Sequence, residues 1–137
     1  ICDATACVGA DTLCFAMYPW PSVEVVAWEI DTERYDMLVN NITTYKLNNI
    51  KTYQQSFVKS TGECDIIYID PPWGGPGYNN QSSVELFIDG INIKDLVRLF
   101  NSRFKMIIVK IPHNFNSVPG SQIVKISSKI SLWFVHI

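Results

Sequence analysis

A carboxylate, two prolines and an indole stand together at Asp70-Pro71-Pro72-Trp73, and Gly74-Gly75-Pro76-Gly77 separates them from Tyr78. A carboxylate accepts hydrogen bonds from a polar ligand, and a flat aromatic ring gives that ligand a surface to stack on. The residues before Asp70 explain how such a pair would be presented. Ile66, Ile67, Tyr68 and Ile69 are β-branched or aromatic without polar alternation, which predicts a strand covered on both faces in a parallel sheet. Prolines cannot continue a ladder, so the chain leaves the sheet at Pro71 and Pro72. Asp70 is therefore expected at the carboxyl end of a central strand, where open α/β sheets bind their ligands. The plainer alternative is that Asp70 only ties the loop by accepting backbone N–H bonds.

The remaining elements are read from periodicity. Asp3 ends a first strand, and a loop of small residues from Asp3 to Thr12 leads into a short helix with Leu13, Ala16 and Met17 on one side, ended by Pro19 and Pro21. Val23 to Glu29 forms a second strand. Its terminal acid lies at about the separation from the first loop at which dinucleotide-type folds place the carboxylate that holds ribose hydroxyls. Asp31 caps the next helix, in which Tyr35, Leu38, Val39, Ile42 and Tyr45 mark one core-facing side. Ile50 to Gln55 makes a weaker third strand followed by Ser56-Phe57. A further helix carries Ile93, Leu96, Val97, Phe100 and Phe104, started by Asn92 or Asp89. Met106 to Ile111 is a buried strand ending at Pro112, and Gln122 to Ser127 and Ser131 to Ile137 form an antiparallel hairpin. Trp20, Trp28 and Trp133 are assigned to core packing, and the polar stretch Asn79 to Ser83 to a loop.

Alternating strands and helices closed by a hairpin imply an α/β fold, a mostly parallel sheet of seven strands with helices on both faces. The chain of 137 residues, 47% hydrophobic and 18% charged, suits one domain over residues 1–137. Two residues before Asp3 are few for a strand, so its start is expected to lie outside this sequence. A net charge of −2 argues against gripping long nucleic acid by its phosphates but leaves open the recognition of a single base or an end. Cys2, Cys7, Cys14 and Cys64 lack paired metal-ligand spacing, so free thiols in a reducing compartment and no metal are expected. No apolar run is long enough to cross a bilayer.

Three features coincide: the small-residue loop from Asp3 to Thr12, Glu29 ending strand two, and Asp70-Pro71-Pro72-Trp73 ending strand four. Together they resemble a class I, Rossmann-like methyltransferase. More narrowly, Asp70-Pro71-Pro72-Trp73-Gly74-Gly75-Pro76-Gly77-Tyr78 resembles the trimethylguanosine synthase family, which methylates the exocyclic N2 amine of a 7-methylguanosine RNA cap. The resemblance implies S-adenosyl-L-methionine as cofactor, held by Asp3, Ala4, Thr5, Gly9, Thr12, Glu29, Ser56, Phe57 and Asp70. It implies Asp70 and the Pro71 carbonyl as catalytic groups, Trp73 as the ring stacked on the guanine, and Tyr78 as a phosphate contact. The family's Pro-Arg-Asn is similar to Pro112-His113-Asn114 here, which with Lys110 would complete the substrate side. Two glycines of the family's cofactor loop are replaced, one of them by Cys7, and the family's acid after strand three is matched by Ser56.

The implied partner is capped RNA, bound by a monomer in the nucleus or cytoplasm or in a viral setting, with no membrane and no metal. Two other functions use the same residues. An adenine-N6 methyltransferase also carries Asp-Pro-Pro-Trp, and a catalytically silent cap-binding module would keep Trp73 while losing cofactor affinity.

Overall fold

The computed structural model describes residues 1–19 and 22–136. The expected roles of Trp20 and Pro21 and the end of the last strand at Ile137 lie outside the described residues. The chain divides into two compact units, residues 1–68 and 69–137.

The first unit runs β1 (Cys2–Asp3), α1 (Ala10–Met17), β2 (Val25–Trp28), α2 (Thr32–Thr44), β3 (Ile50–Tyr53), a 3-10 turn at Phe57–Lys59, and β4 (Ile66–Ile69), whose last residue begins the second unit. Strands β3, β2, β1 and β4 pair in parallel, with Cys2 opposite Val26 on one side and Ile67 on the other. β1 thus sits where the strand order reverses, the point at which open α/β sheets bind ligands outside their carboxyl ends. Asp31 caps α2 by accepting from the Arg34 N–H at 2.9 Å. Of the face expected on α2, Leu38 is fully buried beside Ala6 and Ala27, with Tyr35 and Ile42 packed against that cluster. Val39 and Tyr45 are exposed instead, as is Met17. Val39 lies about 100° around the helix from Leu38, Tyr45 is already the C-cap, and Met17 ends α1.

The second unit contains a 3-10 turn at Pro76–Asn80, β5 (Phe87–Ile88), β6 (Ile91–Asn92), α3 (Ile93–Phe100), β7 (Met106–Pro112), β8 (Gln122–Lys125) and β9 (Ile130–His136). The β5–β6 hairpin was not read from the sequence, although Asp89-Gly90 carries its signal. Both residues have positive φ, +50° and +78°, as a two-residue hairpin turn requires. Asn92 then caps α3 by accepting from the Lys94 N–H, and Ile93, Leu96, Val97 and Phe100 are its buried face. Phe104 is past the helix end, buried and edge-on to Phe100 with centroids 5.8 Å apart. On β7, Ile107, Val109 and Ile111 are buried while Met106, Ile108 and Lys110 alternate with them at intermediate exposure. β7 and β8 both pair antiparallel with β9.

The seven long-range strands form one mostly parallel sheet in the order β3-β2-β1-β4-β7-β9-β8, with the expected antiparallel carboxyl-terminal strands. The cysteines depart from expectation: Cys2 and Cys64 form a disulfide, while Cys7 and Cys14 are free. The register explains it. Cys2 pairs with Ile67, three residues after Cys64, which brings the two Cα atoms to 6.1 Å, within disulfide range. Among the described residues no helix is long and apolar enough to cross a membrane, and no cluster of three His, Cys, Asp or Glu side chains could hold a metal.

Candidate active site

In the first unit the loop after β1 is held from inside. Asp3 is almost fully buried, and its carboxylate accepts from the Thr12 hydroxyl and, at 3.3 Å, from the Thr5 N–H. The Ala4 N–H donates to the Tyr68 carbonyl and the Ala6 N–H to the Trp28 carbonyl, both at 2.9 Å. These bonds fasten the loop to β4 and β2. Asp3, Ala4 and Thr12 are buried, so what they shape is the path of the backbone. Gly9 is the tightest point: a Cβ there would lie 2.7 Å from Leu38 Cδ1, and its φ of +99° is one that only glycine adopts readily. Cys7, where the family has a glycine, also has positive φ, +50°. Its N–H donates to Glu29 Oε2 at 2.8 Å, and Glu29 Oε1 accepts from the Asp31 N–H at 2.8 Å. The acid after β2 is therefore buried and joined to the loop, with lone pairs remaining on each oxygen.

Ser56 caps the 3-10 turn after β3 by accepting from the Val58 N–H. Phe57 is buried edge-on against Trp28 at 4.9 Å, and Tyr53 stacks on the same indole at 5.6 Å. Two braces of this loop were not expected: the Asn41 side chain donates to the Val8 carbonyl at 2.8 Å, and the Tyr68 hydroxyl donates to Asp11 Oδ2 at 3.1 Å. Alternation along β4 signals which way Tyr68 points, but nothing in the sequence pairs it with a residue 57 positions away.

In the second unit Asp70 follows β4 and meets Lys110 of β7, Nζ to Oδ2 at 2.9 Å. Pro71 is buried and Trp73 half-buried. Trp73 lies edge-on to Tyr78, centroids 5.2 Å apart and planes at 81°, and its Nε1 is shielded from solvent without a hydrogen-bond partner among the described residues. Gly74 and Gly75 have φ of +85° and +75°, and a Cβ added at Gly74, Gly75 or Gly77 would meet nothing within 4 Å. The loop therefore borders open space along its glycine side. Asn114 anchors its far end, its amide donating to the carbonyls of Tyr78 and Gln81, both at 2.9 Å. His113 is exposed, with its backbone N–H on the Lys129 carbonyl. The residues expected on the substrate side thus fall into two groups, Asp70 with Lys110 and Trp73 with Tyr78 and Asn114, while the His113 side chain joins neither.

Residues 1–133 match the model of the RNA cap guanine-N2 methyltransferase family. The chain belongs to that family. A relative is found in Acanthamoeba polyphaga mimivirus, an uncharacterized protein 34% identical over 123 residues, covering 85% of this chain and 47% of that protein. The chain thus spans about half the length of the curated relative it matches. A T. thermophilus 16S rRNA N2 methyltransferase, RsmC, solved with AdoMet and guanosine, superposes with a TM-score of 0.73 at 18% identity, over 98% of this chain and 36% of that one. A hypothetical protein of Thermus thermophilus superposes with a TM-score of 0.71 at 18% identity, over 99% and 74%. The superposition on RsmC shows that the fold is that of a methyltransferase.

Membership in this methyltransferase family implies S-adenosylmethionine, and the first unit fits it on its own geometry. The space a Cβ would fill at Gly9 is closed by Leu38, so the backbone there stays bare. No side chain caps α1 at Gly9, so the leading N–H groups of that helix suit a carboxylate such as the one the methionine portion carries. Glu29, at the end of β2, supplies acceptors of the kind ribose hydroxyls need.

Proposed function

We propose that the chain methylates the exocyclic N2 amine of the 7-methylguanosine RNA cap. The observation that carries this reading is the loop after β4: a half-buried indole closely follows the Asp70 carboxylate, with open space beside the glycines that come next.

The backbone from Asp3 to Thr12, with Glu29 and the Ser56-Phe57 turn, holds the cofactor. When bound, S-adenosylmethionine supplies an activated methyl on sulfonium sulfur: an N–C bond forms, the C–S bond breaks with its electron pair returning to sulfur, and one amine proton leaves to solvent. The protein must align the amine and exclude water, and needs no nucleophilic side chain. An exocyclic amine attacks poorly because its lone pair is spread into the ring. Asp70 and the Pro71 carbonyl accept its hydrogens and favour the pyramidal form that attacks. Trp73 takes the purine ring. The 7-methyl group leaves a delocalised positive charge on that ring, and its attraction to an indole face is worth about 1–2 kcal/mol when desolvated. Tyr78 and His113 serve the cap phosphates, and Asn114 keeps Tyr78 in place.

Incubating the protein with labelled S-adenosylmethionine and either m7GpppG or GpppG, then locating the methyl by mass spectrometry, tests the reading. Label on N2 of m7GpppG and none on GpppG supports it. Label on adenine in a stem-loop substrate would select the adenine-N6 function instead, and cap binding without cofactor binding would select the silent module.

A further inference from the structure

The Asp70–Lys110 pair is a feature that neither the motif nor the family assignment specifies. Lys110 sits two residues before the end of β7, between the buried Val109 and Ile111 and opposite Leu132 of β9. A lysine at a half-buried sheet position keeps its charge at little cost only with a partner. Its partner here is Asp70: Nζ and Oδ2 are 2.9 Å apart, with the two side chains 24% and 31% exposed. From the sequence Lys110, like His113, is a candidate to neutralise a phosphate of the substrate. The structure instead commits its ammonium to the carboxylate at the head of the Trp73 loop.

We propose that Lys110 is a positioning residue for Asp70, holding the carboxylate ionised and fixing its rotation so that it accepts the amine's hydrogens without taking the proton. This inference rests on the reading of Asp70 given above. A charge-assisted bond of this length restrains both side chains, and a neighbouring ammonium favours the charged carboxylate. Asp70 is thereby a steady acceptor and a weak base, as an amine needs whose proton can leave to water after the methyl has moved.

Two variants and two readouts test it. In Lys110→Met the midpoint of the Asp70 carboxyl titration, followed by carbon NMR and needing no substrate, should rise relative to wild type, because the ammonium that favours the charged carboxylate is gone. In the same variant kcat on m7GpppG should fall about ten- to a hundredfold while KM for the cap changes little, and Lys110→Arg should recover part of kcat. An unmoved titration in Lys110→Met overturns the proposal. So does a raised cap KM with unchanged kcat, which would return Lys110 to phosphate binding. If the wild-type protein methylates a different base, the cap reading fails, but the titration still decides the role of Lys110. If it methylates the cap and the titration does not move, only this inference fails.

Discussion

Under the proposed function, Trp73 is the residue at which cap recognition would be separated from cofactor binding. Trp73→Ala removes the indole but leaves the Asp3–Thr12 loop and Glu29 untouched. Cap affinity measured by calorimetry should fall about five- to thirtyfold, the equivalent of about 1–2 kcal/mol, with S-adenosylmethionine affinity within twofold of wild type. Equal losses of both would mean that the loop had lost its shape. The strand end and the bend that carries Asp70 and Trp73 were legible in the sequence because two prolines and a glycine pair punctuate an otherwise apolar stretch, a local pattern with few alternatives. The partner of Asp70 was not, since Lys110 is 40 residues away and only the placement of β7 brings it near. The same limit applies to Asp3 and Glu29. Their residue types and positions at strand ends could be read, whereas their engagement with Thr12 and with the Cys7 N–H depends on how the loop folds back.

At the scale of elements, Asn114 decides whether the Trp73–Tyr78 segment is a defined surface or a loose one. Its side chain donates to the carbonyls of Tyr78 and Gln81 at the far end of that segment, and its backbone carbonyl accepts from the Val84 N–H at 2.9 Å. Asn114→Ala should cost about 1–3 kcal/mol in denaturant unfolding for the two side-chain hydrogen bonds lost, the Tyr78 carbonyl keeping the Gln81 N–H, and should raise solvent quenching of the Trp73 fluorescence. Cap affinity should fall with little change in cofactor affinity. The start of α3 offers a pH-dependent check. Hydrogen bonds from Asn92, first, and from Lys94 hold the Glu85 carboxyl below the usual carboxylate range. Because the folded value is lowered, its stabilisation is complete above the unfolded value near 4.3 and is lost as pH falls through the folded value. Glu85 is substantially exposed, so the effect is under about 1 kcal/mol. Glu85→Gln should flatten the slope of stability against pH below about 4.5, measured by urea melts. The helices and long strands were legible as elements because their periodicity is local, whereas Met17, Val39 and Tyr45 proved exposed and Phe104 lies past its helix. The β5–β6 hairpin was missed because each strand is two residues long, too short for alternation to register.

For the molecule as a whole, the order of elements was legible, since alternating strands and helices admit few connections, but the disulfide was not. Spacing in sequence says nothing about Cys2 and Cys64, which are 62 residues apart and meet only because β1 and β4 are neighbours. Closing a loop of that length constrains the unfolded chain by up to about 4 kcal/mol in the chain-entropy account. Thermal melts with and without a phosphine reductant should therefore differ by several degrees or more, and the double variant Cys2→Ser, Cys64→Ser should melt like the reduced protein and no longer respond to reductant. Cofactor affinity should fall with reduction if β1 loosens, because the Asp3 loop begins at the residue after Cys2.

The glycine side of the Trp73 loop has a consequence for chirality. Gly75 has φ of +75° and ψ of −170°, a combination reached almost only by glycine, yet there is empty room where a side chain would go. The obstacle to substitution is therefore handedness and not volume. Reflected, those angles fall in the extended region that ordinary residues populate freely, so the backbone of a D-alanine introduced at this position by semisynthesis should be unstrained where that of L-alanine is strained, its methyl taking the direction of the other α-hydrogen. A mirror-image methyl group would thus distinguish a loop that needs its curvature from one that needs bare backbone against the ligand.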